Sequence, residues 1–258
     1  MESLNPPLEP RNADTAASDS GATPVRSRIA PVSAERLLEN RIVAMADRNP
    51  AAIAYKVLRT HVLQQMRANN WKTLGVTSPT LGNGKTVTTI NLAISLARDQ
   101  KHTVLAVDLD LQRPSMAARL FDQPVPGLSD YITEDRPIEE LLVKPDIERL
   151  VILPGSHSFT HSSEILCSPK MIELVNEIKD RYADRLILFD LPPVLGGDDV
   201  MAFAPYVDAL LLVIEEGKTT KDQLTSAYEL LHDRAKVLGT VLNKADEGST
   251  RTGYSISY

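Results

Sequence analysis

"SPTLGNGKTVTT", residues 78–89, decides the fold. It contains Gly84-Lys85-Thr86, the end of a phosphate-binding loop, yet Pro79 stands where such a loop usually opens with glycine. A loop of this kind must bring backbone N–H groups against phosphate oxygens. Gly82 and Gly84 permit that approach because no side chain intervenes. "TLGVTS" (73–78) reads as a buried strand running into the loop, and a helix is predicted over 86–98 after it. In a strand–loop–helix setting the helix aims its N-terminal amides and dipole at the anion. Lys85 then reaches the β- and γ-phosphates and the Thr86 hydroxyl ligates Mg²⁺, with Asn83 and Val87 completing the nucleotide-binding run. Proline's fixed φ is compatible with a strand end, so Pro79 marks a subtype of the loop and does not break it.

Outward from the loop, short apolar runs alternate with longer helical ones. Further strands are predicted at "TVLAVDL" (103–109), "RLVILP" (149–154), "RLILFDL" (185–191), "ALLLVIEE" (209–216) and "VLGTVLN" (237–243). Helices are predicted near 114–121, 168–181, 198–205 and 220–235, the last with a solvated face and an apolar underside. Continuous apolar strands alternating with helices indicate an α/β fold, a mostly parallel sheet covered on both faces.

Upstream, "RNPAAIAYKVLRTHVLQQM" predicts a helix with Asn49 as N-cap and Pro50 at its first position. Its apolar face is read as Ile53, Val57, Leu58, Val62 and Met66. Residues 1–32 hold many Pro, Ser, Ala, Asn and Asp and read as a disordered arm. The expected organisation is an arm (1–32), N-terminal helices (33–70), a P-loop domain (71–245) and a flexible tail (246–258).

The composition, 43% hydrophobic and 24% charged over 258 residues, is that of a soluble globular chain with a sizeable core. A net charge of −6 argues against a surface built to neutralise nucleic acid. Cys167 is the sole cysteine, which excludes an internal disulfide, and it is expected to be packed. No apolar run approaches the roughly 20 residues of a membrane-spanning helix, and the N-terminus lacks the basic and apolar parts of a signal peptide. A cytoplasmic location is therefore expected.

Two predicted strands end in carboxylates: "TVLAVDL" runs into Asp108 and Asp110, and "RLILFDL" into Asp190. Ligands of open α/β sheets bind at the carboxyl ends of strands, so the three would converge on the nucleotide held by Lys85 and Thr86. One can help to hold a metal ion and another can accept a proton from an attacking hydroxyl. Singly such residues are often turn formers; together beside a phosphate loop they point to chemistry.

"VTSPTLGNGKT", "VLAVDLDLQRP", "LILFDLPPVL" and "LLLVIEEGKTT…VLGTVLNK" together resemble the bacterial tyrosine kinases of exopolysaccharide export. These are P-loop proteins related to the partition and septum-site ATPases, and the likeness spans residues 45 to 243. It implies ATP- and Mg²⁺-dependent phosphorylation of tyrosine, usually including the chain's own C-terminal tyrosines. By that resemblance Asp108 activates the tyrosine hydroxyl, Asp110 and Asp190 organise Mg²⁺ with Thr86, Arg113 lies near the phosphates and Asn243 contacts the adenine. It also implies a membrane-embedded partner that sets polysaccharide chain length, hence a peripheral place at the inner membrane, and a homo-oligomer.

Two departures bear on the competing readings. The partition ATPases carry lysine at the position of Thr80, whose absence weighs against an ATPase switch. The ring-forming helix of the kinases often has glutamate where this chain has Ile53, ahead of Lys56 and Arg59, which leaves room for a nucleotide-sensing regulatory subunit. Tyr254 and Tyr258, in the tail "STRTGYSISY", are the expected autophosphorylation sites. His157 and His161 are read as loop residues, His61 as a packed or capping residue and Trp71 as a core anchor.

Overall fold

The computed structural model describes residues 28–99, 101–181 and 185–245. Eight strands form one sheet: β1 (Arg28–Ile29), β2 (Thr73–Thr77), β3 (Thr103–Asp108), β4 (Val143–Lys144), β5 (Leu150–Leu153), β6 (Arg185–Asp190), β7 (Ala209–Glu215) and β8 (Lys236–Asn243). Their order is β1-β4-β5-β3-β6-β2-β7-β8, and every pairing is parallel except β4 with β5. The helices are α1 (Ala34–Glu39), α2 (Pro50–Ala68), α3 (Lys85–Ala97), α4 (Met116–Leu120), α5 (Leu128–Glu134), α6 (Ile138–Leu141), α7 (Ser162–Leu166), α8 (Pro169–Arg181), α9 (Asp199–Phe203) and α10 (Lys221–Leu231).

Alternation along the central strands explains why both sheet faces are buried. Val104, Ala106, Leu186, Leu188, Ala209 and Leu211 join a core with α2 and α3. Their neighbours Leu105, Val107, Ile187, Phe189, Leu210 and Leu212 join a second core with α8 and α10. Strands buried on both sides must be apolar at every position, which is the continuous pattern in the sequence. The register sets Asp108 directly across from Asp190, and Asp190 across from Val76. Three central strands therefore deliver their C-terminal ends to one crevice.

Several expectations need correction. The arm was drawn through residue 32, but Arg28–Ile29 pair with Val143–Lys144 as an edge strand; residues 1–27 lie outside the described residues. β4 and α5 to α7 are too short to carry periodicity. On α2, capped by Asn49 as expected, the buried residues are Ala52, Val62, Leu63 and Met66, whereas Ile53 and Val57 are exposed. Nine residues, about two and a half turns, separate Ile53 from Val62 and Val57 from Met66, so the two pairs lie on opposite sides of α2 and only the latter meets the core. His61 is exposed, and so is Cys167, which follows the short α7 at the surface. Trp71 is partly buried against the α2–α3 core, as expected.

The segment before α2 is locked to α3 by Asn91, which is fully buried. Its Oδ1 accepts from the N–H groups of Val43 (2.7 Å) and Ala44 (2.9 Å), and its Nδ2 donates to the carbonyls of Arg41 (3.1 Å) and Val87 (2.9 Å). Leucine matches the size of asparagine but strands these partners. Asn91→Leu is expected to lower stability by roughly 3 kcal/mol. Urea unfolding should show a lower midpoint at an unchanged slope; an unchanged midpoint would mean the segment is held by other contacts.

Candidate active site

The loop between β2 and α3 adopts the shape its glycines allow. Gly82 (φ 83°) and Gly84 (φ 91°) both have left-handed backbone. A Cβ built on Gly84 would lie 2.1 Å from Nδ2 of Asn243, so the position is closed to any other residue on two counts. Side chains brace the loop from within. Asn83 Oδ1 accepts from the N–H and the hydroxyl of Thr80, both at 3.1 Å, and Asn83 Nδ2 donates to the Thr219 hydroxyl at 3.2 Å. Pro79 fits because its carbonyl is used, accepting from the Leu195 N–H at 3.0 Å; Ser78 accepts likewise from Val194 at 2.8 Å. The residues 193–196 thus strap across the loop's entrance.

Lys85 opens α3 and turns its amine into a nest of carboxylates. Its Nζ lies 2.6 Å from Asp110 Oδ2, 3.8 Å from Asp190 Oδ1 and 3.5 Å from the Thr86 hydroxyl. Burial works against its charge, but Asp190 and Asp110, with Asp108 behind them, raise its pKa above the ordinary lysine value. An ammonium so placed is a fixed cation at any physiological pH.

The three carboxylates have distinct surroundings. Asp108 is fully buried, and its Oδ2 accepts from the N–H groups of Ser115 and Met116, both at 2.9 Å. Burial first, and then the charge of Asp190, push its pKa up to about 7, against the pull of those amides and of Lys85. Asp190 is also fully buried, and burial raises its pKa. The Thr89 hydroxyl lies 3.3 Å from its Oδ1, while Oδ2 has no hydrogen-bond partner among the described residues. Asp110 is the partner of Lys85, and its Oδ1 accepts from the Arg113 N–H at 3.1 Å. A buried carboxylate oxygen without a partner, beside a threonine hydroxyl and a lysine at a helix start, is a donor set suited to a hydrated divalent cation and phosphates.

The structure brings together Gly82, Asn83, Gly84, Lys85, Thr86, Asp108, Asp110 and Asp190. Thr86 is tied in through its hydroxyl, 3.3 Å from that of Ser115. The Arg113 side chain is exposed at the rim. Asn243 adjoins the loop: its Nδ2 donates to the Asn83 carbonyl at 2.8 Å, and Lys244 Nζ donates to the Gly82 carbonyl at 2.9 Å. Val87 contributes its carbonyl to Asn91. Tyr254 and Tyr258 lie outside the described residues.

Sequence reasoning passed over Thr89 and the amides of Ser115 and Met116. Thr89 had a readable signal, since four residues separate it from Lys85 on one helix face, and its hydroxyl also bonds the Lys85 carbonyl at 2.9 Å. The amides gave none, because backbone groups have no letter.

A family model described as the AAA domain matches residues 72–241. The chain belongs to that family. Among curated relatives it is 28% identical over 208 residues to the tyrosine-protein kinase YwqD of Bacillus subtilis, covering 80% of this chain and 86% of that one. It is 30% identical over 212 residues to the putative tyrosine-protein kinase EpsB of Ralstonia nicotianae, covering 81% of this chain but 28% of that longer protein. The VpsO kinase domain superposes with a TM-score of 0.66 at 28% identity, over 82% of this chain and 97% of that one. The AAA domain here also shares its fold with a septum-site protein of Pyrococcus horikoshii solved with Mg-ADP, at TM-score 0.54 and 26% identity over 66% and 69% of the two chains. The resemblance read from the four motifs is thus borne out, with the tyrosine kinases ahead of the septum-site ATPases and nucleotide binding common to both branches.

Proposed function

We propose that this chain is an ATP-dependent protein-tyrosine kinase that phosphorylates its own tail and regulates exopolysaccharide synthesis or export. The observation that carries the reading is Asp108, a buried carboxylate poised near neutrality beside the Lys85 cradle. Gly82 to Thr86 hold the triphosphate by backbone amides and the Lys85 charge. Thr86, Asp110 and Asp190 would hold a magnesium ion, which would supply neutralising charge to the phosphates; Mg²⁺ is commonly bound by one or two carboxylates together with substrate phosphates. Asp108 accepts the tyrosine hydroxyl proton as the phenolic oxygen bonds to the γ-phosphorus and the bond to the ADP oxygen breaks. Arg113, at the rim, stabilises the transferring group. In this reading Lys85 leaves Asp110 to meet phosphate oxygens, which frees that carboxylate for the cation.

Of the chain's seven tyrosines, Tyr254 and Tyr258 fall within the last five residues, among Ser, Thr and Gly. They are the proposed acceptors, and each phosphate adds roughly −1.5 to −2 charge at neutral pH. The proposed partner is a membrane protein governing polysaccharide chain length. Among the described residues no helix is long and apolar enough to cross a membrane; attachment to the inner membrane is proposed to run through that partner. A second reading, a nucleotide-dependent regulatory subunit with little transfer, is favoured by exposed Ile53, where an acidic residue would otherwise support ring assembly.

Incubating the protein with Mg·ATP and mapping phosphate by mass spectrometry separates the two. Phosphate is expected on Tyr254 or Tyr258, and most of it should vanish in a chain ending at Arg251. ATP turnover with no phosphotyrosine anywhere would overturn the kinase reading and put the ATPase-switch and regulatory readings ahead.

A further inference from the structure

Asp199 is a buried carboxylate outside the set already described. It is 3% exposed and begins α9, and its Oδ1 is buried with no hydrogen-bond partner among the described residues. Its Oδ2 accepts from Gln112 Nε2 at 2.9 Å. Gln112 lies between Asp110 and Arg113 in the loop after β3. On the other side, Asp199 follows the strap whose Val194 and Leu195 amides bond to Ser78 and Pro79. A Cβ built on Gly197 would come within 3.0 Å of Asp199 Oδ2 and 3.7 Å of Gln112 Nε2, so the backbone here passes close beside the bonded pair.

One side-chain bond therefore joins the loop bearing Asp110 and Arg113 to the strap hung on the phosphate loop. The loop is also held at Leu111, whose carbonyl accepts from the Phe159 N–H at 2.8 Å. Asp110 precedes those anchors and Arg113 follows them, so the groups that must meet phosphates flank the held stretch. Keeping a carboxylate buried with one oxygen unpaired costs free energy, and a fold retains such a group where its other contact is needed.

We propose that Asp199 is a positioning residue of the transfer reaction: through Gln112 it fixes Asp110 and Arg113 relative to the phosphate loop. It touches neither nucleotide nor tyrosine. The proposal rests on the kinase reading for what is transferred, but the coupling it describes acts on any reaction at the γ-phosphate.

Four variants test it: Gln112→Ala, Asp199→Ala, their double, and Asp199→Asn, whose amide can still bond Gln112. Truncating exposed Gln112 leaves both cores intact. Misplacement by about 1 Å can cost on the order of a hundredfold in rate, and loss of this one of several ties on the loop is expected to lower kcat about tenfold. KM for Mg·ATP should stay within about threefold, because the cradle itself is untouched. The double should be no slower than either single, since both remove the same bond, and Asp199→Asn should recover most of the rate. A purely structural role would instead lower the melting temperature and spare kcat of the folded protein. Parental kcat in Gln112→Ala, or singles whose losses multiply in the double, would overturn the proposal. Measuring ADP release beside phosphotyrosine keeps the two questions apart. A parent that releases ADP without phosphotyrosine sinks the kinase reading, while the four ADP-release rates still decide the role of Asp199.

Discussion

Asp108→Asn is expected to bind a Mg·ATP analogue with parental affinity and to transfer phosphate about 10²- to 10⁴-fold more slowly, the usual worth of a positioned base. Asparagine keeps the shape and can still accept from the Ser115 and Met116 amides, but it cannot take a proton. In the parent, kcat/KM should rise with pH through about 7 as Asp108 ionises. Stability should move the other way. A carboxyl whose folded pKa is raised stabilises the fold below its unfolded value near 3.8 and loses that contribution as pH climbs through about 7. The ligand-free Asp108→Asn protein should therefore melt above the parent at pH 8, with the gap closing toward pH 4. An unchanged transfer rate would move the base to another residue, and a gap that widens on acidification would contradict the burial argument.

Lys85→Met should lose on two counts. Charge-assisted bonds to phosphates are worth roughly 1.5–3 kcal/mol each, so nucleotide affinity should fall at least tenfold by calorimetric titration. The same substitution removes the cation 2.6 Å from Asp110 and 3.8 Å from Asp190, leaving buried carboxylates facing one another. Breaking a buried pair by deleting one partner costs about 3–5 kcal/mol. The destabilisation should be largest near neutral pH and should narrow on acidification, as the carboxyls take up protons. Parental affinity in this variant would remove the phosphate-loop assignment.

The central fold was legible because strands buried on both faces leave uninterrupted apolar runs, as in "RLILFDL" and "ALLLVIEE", with helices spaced between them. The cradle was legible because Gly82, Gly84, Lys85 and Thr86 are adjacent in sequence and their chemistry depends on identity. The orientation of α2 was not legible. Ile53 and Val57 lie about two and a half turns before Val62 and Met66, on the opposite side of the helix, so the five apolar residues do not make one face and only the position of α3 shows which side is covered. Cys167 was misread for the same reason, since the burial preference of a residue type says nothing of a short helix end at the surface. The pairing of Lys85 with Asp110, and of Asp108 with backbone amides, depends on distances between strands that no single segment encodes.

The clasp of Asn243 on the Asn83 carbonyl and of Lys244 on the Gly82 carbonyl joins residues 160 and 162 positions apart. β2 itself is flanked by β6 and β7, both more than 100 positions later in the chain. Contacts of such sequence separation form slowly, because the intervening chain must be ordered first. On a ribosome the residues that read as the nucleotide signature emerge well before the strand that clasps their loop. The nascent chain carries the letters of the cradle long before it has the cradle, and the clasp closes only when β8 has been made and added to the sheet.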